Sequence, residues 1–237
     1  MKTESFRKGI LDGIPICLGY LSVSFAFGIF AVEESGLSVL HTLLISMLCV
    51  TSAGQLAAVP IIAGGGGLWE LAVSQLVINL RYSLMSISLS QKLDKKVKLP
   101  SRLLISFVNT DEVFAVASGQ AGAVGKKYMY GLGLLPWIGW STGTLLGAVA
   151  GNILPAIVTE SLGVAIYGMF IAIVVPEMKK TRPTALCVAV AVALSVAFYY
   201  VPFLGQIPTG FTVIICAVTA SVLLAWLAPI KEAEDGQ

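Results

Sequence analysis

Apolar runs long enough to cross a lipid bilayer recur along almost the whole of this 237-residue chain. A helix needs about 20 residues to cross the roughly 30 Å hydrocarbon layer. Runs of this kind occupy approximately 14–32, 37–63, 68–90, 103–122, 129–150, 162–175, 184–201 and 210–228, and the linkers between them leave no room for another domain. The pattern predicts an all-α polytopic membrane protein with about eight membrane segments in a single domain over 1–237. A soluble fold is excluded by charge: only 12% of the residues are charged, against about 25% in an ordinary soluble domain. The first run follows Lys2, Arg7 and Lys8. It reads as a retained span rather than a cleaved signal, being longer than a typical signal core and followed by more membrane segments.

The chemistry-bearing residues exclude several classes. Cys17, Cys49, Cys187 and Cys216 all lie inside apolar runs, without metal-ligand spacing, and read as packing residues. His41 is the only histidine, so zinc chemistry or a triad that needs a histidine base has almost nothing to work with. No cofactor or nucleotide-binding motif is present, which argues against an enzyme or a primary pump and leaves an ion gradient or exchange as the energy source.

Charge placement points to irregular membrane segments. Of the 15 basic residues only Arg81 falls within an apolar run; the rest cluster at 2–8, 92–102, 126–127, 179–182 and Lys231. Basic loops prefer the cytoplasm, yet eight simple crossings would place the loop holding Lys92, Lys95, Lys96, Lys98 and Arg102 outside. Segment 37–63 is interrupted by Thr51-Ser52-Ala53-Gly54-Gln55, by Pro60 and by Gly64 to Gly67, and segment 103–122 carries Asn109-Thr110-Asp111-Glu112 in its middle. If both are broken and re-entrant, every basic cluster, and with them both termini, lies inside. If both span, one basic loop breaks the rule. Unwound backbone at membrane depth must be satisfied by protein or by water in a cavity, and paired broken segments point to a transporter's substrate site.

Ionisable residues in or beside the apolar runs are Glu70, Arg81, Asp111, Glu112 and Glu160. A charge at mid-bilayer costs a few kcal/mol. Arg81 therefore reads either as a site for a substrate carboxylate or as half of an internal ion pair, whereas Glu70 and Glu160, at segment ends, read as solvated caps. Gln75, Asn79, Tyr82 and Ser86 form one polar stripe at helical spacing, suited to interhelical hydrogen bonds or to substrate. Gly139, Gly143, Gly147 and Gly151 form a small-residue face that lets another helix approach closely, with an internal partner favoured over a second subunit. Asp111 and Glu112 are adjacent acids that can hold one proton between them and so form a proton-coupling site. Neighbours on a helix point about 100° apart, so Asp111 is expected to face the pathway while Glu112 caps the second half-helix; alternatively both only cap that helix N-terminus and complement its dipole.

The Ala53-Gly54-Gln55 break, the Asn79-Leu80-Arg81 triplet, the Thr110-Asp111-Glu112 turn and the glycine face, in this order and spacing, resemble the AzlC family of branched-chain amino-acid permeases. The resemblance covers most of the chain. It implies a bacterial inner-membrane exporter of branched-chain amino acids that works with a small membrane subunit of the AzlD type. It also implies that Gln55, Asn79, Arg81 and Asp111 are substrate-pathway positions. A channel, or a structural subunit whose partner carries the site, remains the competing class.

Overall fold

The computed structural model of the chain describes residues 5–151, 153, 157, 171, 174–176, 178–179 and 181–227. Helix α1 (Phe6–Ser35) starts at Ser5, whose hydroxyl accepts from the Lys8 amide, and stops at Gly36 in the left-handed region. Then come α2 (Val39–Leu48), α3 (Ser52–Ala63), α4 (Leu68–Lys92), α5 (Leu99–Phe107), α6 (Asp111–Ser118) and α7 (Lys126–Gly151). The last two described helices are α8 (Arg182–Tyr200) and α9 (Thr209–Leu227). Helices α1, α7, α8 and α9 are each long and apolar enough to cross a membrane. Segment 162–175 lies largely, and Glu160 wholly, outside the described residues.

Both segments expected to be broken are broken. The first divides into α2 and α3 of 10 and 12 residues, the second into α5 and α6 of 9 and 8. At 1.5 Å per residue each half-helix reaches only about halfway through a bilayer. The breaks are shorter than expected: Cys49–Thr51 and Val108–Thr110 are non-helical, while Ser52 to Gln55 and Asp111 to Glu112 already belong to helices. Thr51 explains the first shift, because its hydroxyl accepts from the Gly54 amide and so turns the small residues after it into a helical first turn.

Contacts along the chain fix the direction of each element. Helices α1 and α7 run parallel: Gly9 lies against Tyr128 and Leu132, Cys17 against Gly139, Leu21 against Gly143, and Phe25 against Gly147. The glycine face is therefore filled from within by α1, not by an outside helix. Helix α2 runs antiparallel to α7, with Ser46 bonded to Thr144 and the Trp137 indole donating to the Met47 carbonyl (3.0 Å). Helix α3 turns back, since Gln55 lies beside Trp140 at mid-height while Val59 packs with Phe27 and Ala31 near the end of α1. The α2–α3 unit is thus a hairpin entering from the C-terminal end of α1.

Helix α4 then descends the full length and delivers Leu89 and Leu93 to a core with Val97, Val124 and Tyr128, beside the start of α7. Backbone bonds from Asp94 to Val124 and from Val124 to Lys92 tie the basic loop to that end. Helix α5 rises from the same end and α6 returns to it, where Gln120 meets Lys8 and Asp12. This second hairpin enters from the opposite side to the first. Lys92 to Arg102, Lys126, Lys127 and the start of α1 consequently share one end of the bundle, whereas the Gly64–Gly67 turn lies at the other.

Glu70 departs from the solvated cap expected of it. It is buried, and its carboxylate accepts from the Gly210 amide (2.8 Å), holding the first turn of α9 against α4. A carboxylate at a helix N-terminus complements its unpaired amides.

The hairpin arrangement predicts labelling. Single cysteines at Lys95 and Lys127 should react with an impermeant thiol reagent from the same side of the membrane, and one at Gly67, where an added Cβ meets nothing within 4 Å, from the other. Reaction of the Lys95 and Lys127 sites from opposite sides would overturn the second hairpin.

Candidate functional site

The two hairpin tips meet at mid-height beside α1, α4 and α7, and a cavity of about 450 Å³ opens between them. Its lining includes Tyr20 of α1, Val50 and Ser52 of the first tip, Tyr82 of α4, Asp111 and Glu112 of the second tip, and Trp140 of α7. Five separate stretches of sequence thus converge on one space. The volume lies within the range of about 300–1,000 Å³ typical of small-molecule sites. Pro15, Ile16 and Val23 add apolar surface.

The polar stripe of α4 explains how both tips are held. Gln75 donates to the Gly54 carbonyl (2.8 Å), and Asn79 accepts from the Thr51 hydroxyl (2.7 Å), so these two brace the first tip. Ser86 accepts from Asn109 (3.2 Å) and braces the second. Only Tyr82, between them, lines the cavity. Stripe residues about two turns apart, Asn79 and Ser86, thus serve two hairpins that approach from opposite ends.

The residues expected to form the pathway divide into two groups. Gln55 is 1% exposed and does not line the cavity; it donates to Ser46 (2.7 Å) and accepts from the Trp140 indole (2.9 Å), joining α3 to α2 and α7. Asn79 is likewise a brace. Asp111 and Glu112 both line the cavity. Arg81 forms an ion pair with Asp111 (2.6 Å), both side chains about half-exposed. The internal pair weighed for Arg81 is therefore the one observed, with the partner supplied from 30 positions away. Glu112 does not cap α6, whose start carries no side-chain cap; one of its carboxylate oxygens accepts a hydrogen bond from the Tyr20 hydroxyl.

Among the described residues, then, the charges lining the cavity are Asp111, paired with Arg81 beside the lining, and one further carboxylate, Glu112. The aromatic wall is formed by Tyr20, Tyr82 and Trp140, with Tyr20 packed edge-on to Trp140 at 5.2 Å between ring centroids. The Thr110 hydroxyl, 5% exposed, also lines the cavity. It is within electrostatic reach of the Tyr20 phenol but makes no hydrogen bond of normal geometry among the described residues. At the first tip, Ser52 and Ala53 begin α3, where backbone amides lack intrahelical partners. The sequence marks Trp140 only as a neighbour of the glycine face and gives no local signal for Tyr20, so neither is expected at the cavity from sequence alone.

The AzlC protein family model matches residues 15–154, the stretch that contains both hairpins and every cavity residue. The inner membrane protein YgaZ of Escherichia coli is 29% identical over 203 residues, covering 82% of this chain and 81% of that protein. A membrane protein of Archaeoglobus fulgidus is 31% identical over 227 residues, covering 95% and 96%. The branched-chain amino acid transport protein AzlC of Bacillus subtilis is 24% identical over 181 residues, covering 75% and 70%. No solved structure matches the chain.

Proposed function

Because the chain belongs to the AzlC family of membrane proteins, we propose that it moves branched-chain amino acids out of the cell through the central cavity, driven by an ion gradient. The observation that carries this reading is the convergence of two oppositely inserted hairpin tips on a cavity that offers complementary ends to a zwitterion. The first turn of α3 presents unpaired amides and the Ser52 side chain to a carboxylate. Glu112 offers negative charge to an ammonium group, and Ile16, Val23 and Val50 offer apolar surface to a branched aliphatic side chain. Substrate class is supported further by the transport protein named among the relatives.

Opposite insertion also suits alternating access. Each tip is anchored to a different level of α4, so one can withdraw toward its own end while the other continues to seal the site. The shared basic end is assigned to the cytoplasm by the preference of basic loops for that side, which places the N-terminus there. The C-terminus is assigned there too, and the membrane is the bacterial inner membrane. A small AzlD-type membrane subunit is proposed as partner. Its docking surface is not the glycine face, which α1 occupies.

Proteoliposomes test the reading. With an imposed ion gradient, the chain co-reconstituted with an AzlD-type small membrane subunit should move labelled leucine, isoleucine and valine; the chain alone should move them at least about tenfold more slowly, the ratio given by a difference of about 1.4 kcal/mol in barrier. Equal transport without the partner would remove the two-subunit proposal. Absence of branched-chain transport in both preparations would remove the substrate assignment.

A further inference from the structure

We propose that Glu112 is the shared cation site of the cavity, holding the substrate's ammonium group when the transporter is loaded and a proton when it is empty. The inference rests on the amino-acid reading above and adds to it a named residue and a coupling mechanism.

Three observations point to a cationic ligand at this position. The first is charge balance. Asp111 is compensated by Arg81 at 2.6 Å, whereas Glu112 has no cation among the described residues, only the Tyr20 hydroxyl on one oxygen. Glu112 is exposed to the cavity, and an ionisable side chain at membrane depth calls for a partner or for water. The second is the wall. Tyr20, Tyr82 and Trp140 surround the same cavity, and aromatic faces attract ammonium groups while adding no charge of their own. The third is the buried Thr110 hydroxyl, which lines the same cavity beside the Tyr20 phenol and adds a polar oxygen next to the carboxylate.

The titratable or charged groups around Glu112 are Tyr20 from α1, Tyr82 from α4 and Asp111 from α6 itself, with Arg81 of α4 paired to Asp111, while α7 supplies only the uncharged Trp140. The two tyrosines are neutral at physiological pH, and Arg81 is already matched by Asp111. Glu112 is thus the group left to exchange its partner.

Mutual exclusion then couples the fluxes. With the cavity open to one side, an ammonium group displaces the proton from Glu112 into water on that side. With the cavity open to the other, a proton from that water takes the carboxylate as the substrate leaves. One proton moves against one zwitterion, so each cycle carries one net charge, and an inwardly directed proton gradient drives export.

The test is leucine binding from pH 5 to 9 by the preparation that transports, together with a count of protons released into weakly buffered solution. Wild type should release up to one proton per leucine bound and bind more weakly as the pH falls. Glu112→Gln should bind leucine at least tenfold more weakly with a flat pH profile, while 4-methylpentanoate, which lacks the ammonium group, should bind both proteins alike. The proposal is overturned if wild type releases no proton at any pH. It is equally overturned if the variant keeps the wild-type affinity and slope, or loses 4-methylpentanoate as severely as leucine. The proton count needs no variant, so misfolding of Glu112→Gln cannot shelter the idea. Failure of wild type to bind any branched-chain amino acid would instead sink the substrate reading, and this proposal with it.

Discussion

Replacing Gly147 by leucine is expected to prevent the bundle from assembling. Helices α1 and α7 run parallel in backbone contact, and a Cβ on Gly147 would collide with the main chain of Phe25. Overpacking a core costs about 1–3 kcal/mol when side chains alone adjust. Here the obstacle is a carbonyl, so one helix must move away from the other along the seam that also includes Gly28, Gly139 and Gly143. A total stability of about 5–15 kcal/mol leaves little margin for separating the helices that carry Tyr20 and Trp140. The detergent-solubilised variant should aggregate or run in the void volume on size exclusion. Gly151→Ala is the control, because its Cβ would meet Ile29 at 3.4 Å, an ordinary contact. A Gly147→Leu protein with wild-type elution and melting temperature would mean that the seam is not as tight as described.

The second large effect is expected at the Arg81–Asp111 pair. Removing Arg81 leaves two adjacent carboxylates, Asp111 and Glu112, with no paired cation among the described residues. Breaking a buried ion pair by deleting one partner costs about 3–5 kcal/mol; the cost here should fall below that, since both side chains are about half-exposed. Arg81→Ala should lower the melting temperature and abolish leucine efflux. Arg81→Ala/Asp111→Ala should recover part of the stability, because it restores the cavity's net charge of one carboxylate. The double-mutant cycle should give a coupling energy of about 0.5–3 kcal/mol, the range for residues in contact. Independent, additive effects would show that the two side chains do not act as a pair. Asp111→Asn should behave as a milder pair-breaking change and leave proton coupling in place. That differs from what the sequence suggested for Asp111, and the difference follows from Arg81 occupying that carboxylate.

Much of this architecture is written in the chain at short range. Apolar runs of bilayer length determine that the protein is a helical membrane protein, because uncharged helices of that length have nowhere else to bury their surface. Thr51 and the small residues after it, like Asn109 to Glu112, mark the two interruptions, because polar side chains compete for backbone groups that a continuous helix would use. Basic clusters at 92–102 and 126–127 made re-entry the arrangement that keeps all of them on one side. The glycine spacing of α7 announced a close helix partner.

Tertiary structure alone decided who that partner is and what the polar residues do. Gln55 and Asn79 carry the same chemistry in sequence whether they touch substrate or brace a hairpin, and they brace because α2, α4 and α7 place Ser46, Thr51 and Trp140 within hydrogen-bond reach. Arg81 meets Asp111 only because the second hairpin brings its tip back to the middle of α4. Tyr20 becomes a cavity residue through contacts with positions 92 and 120 residues distant, Glu112 and Trp140. Helical periodicity reports which residues share a face, over three or four positions. Which faces meet, and hence which carboxylate is left without a cation, depends on packing between segments that are far apart in sequence.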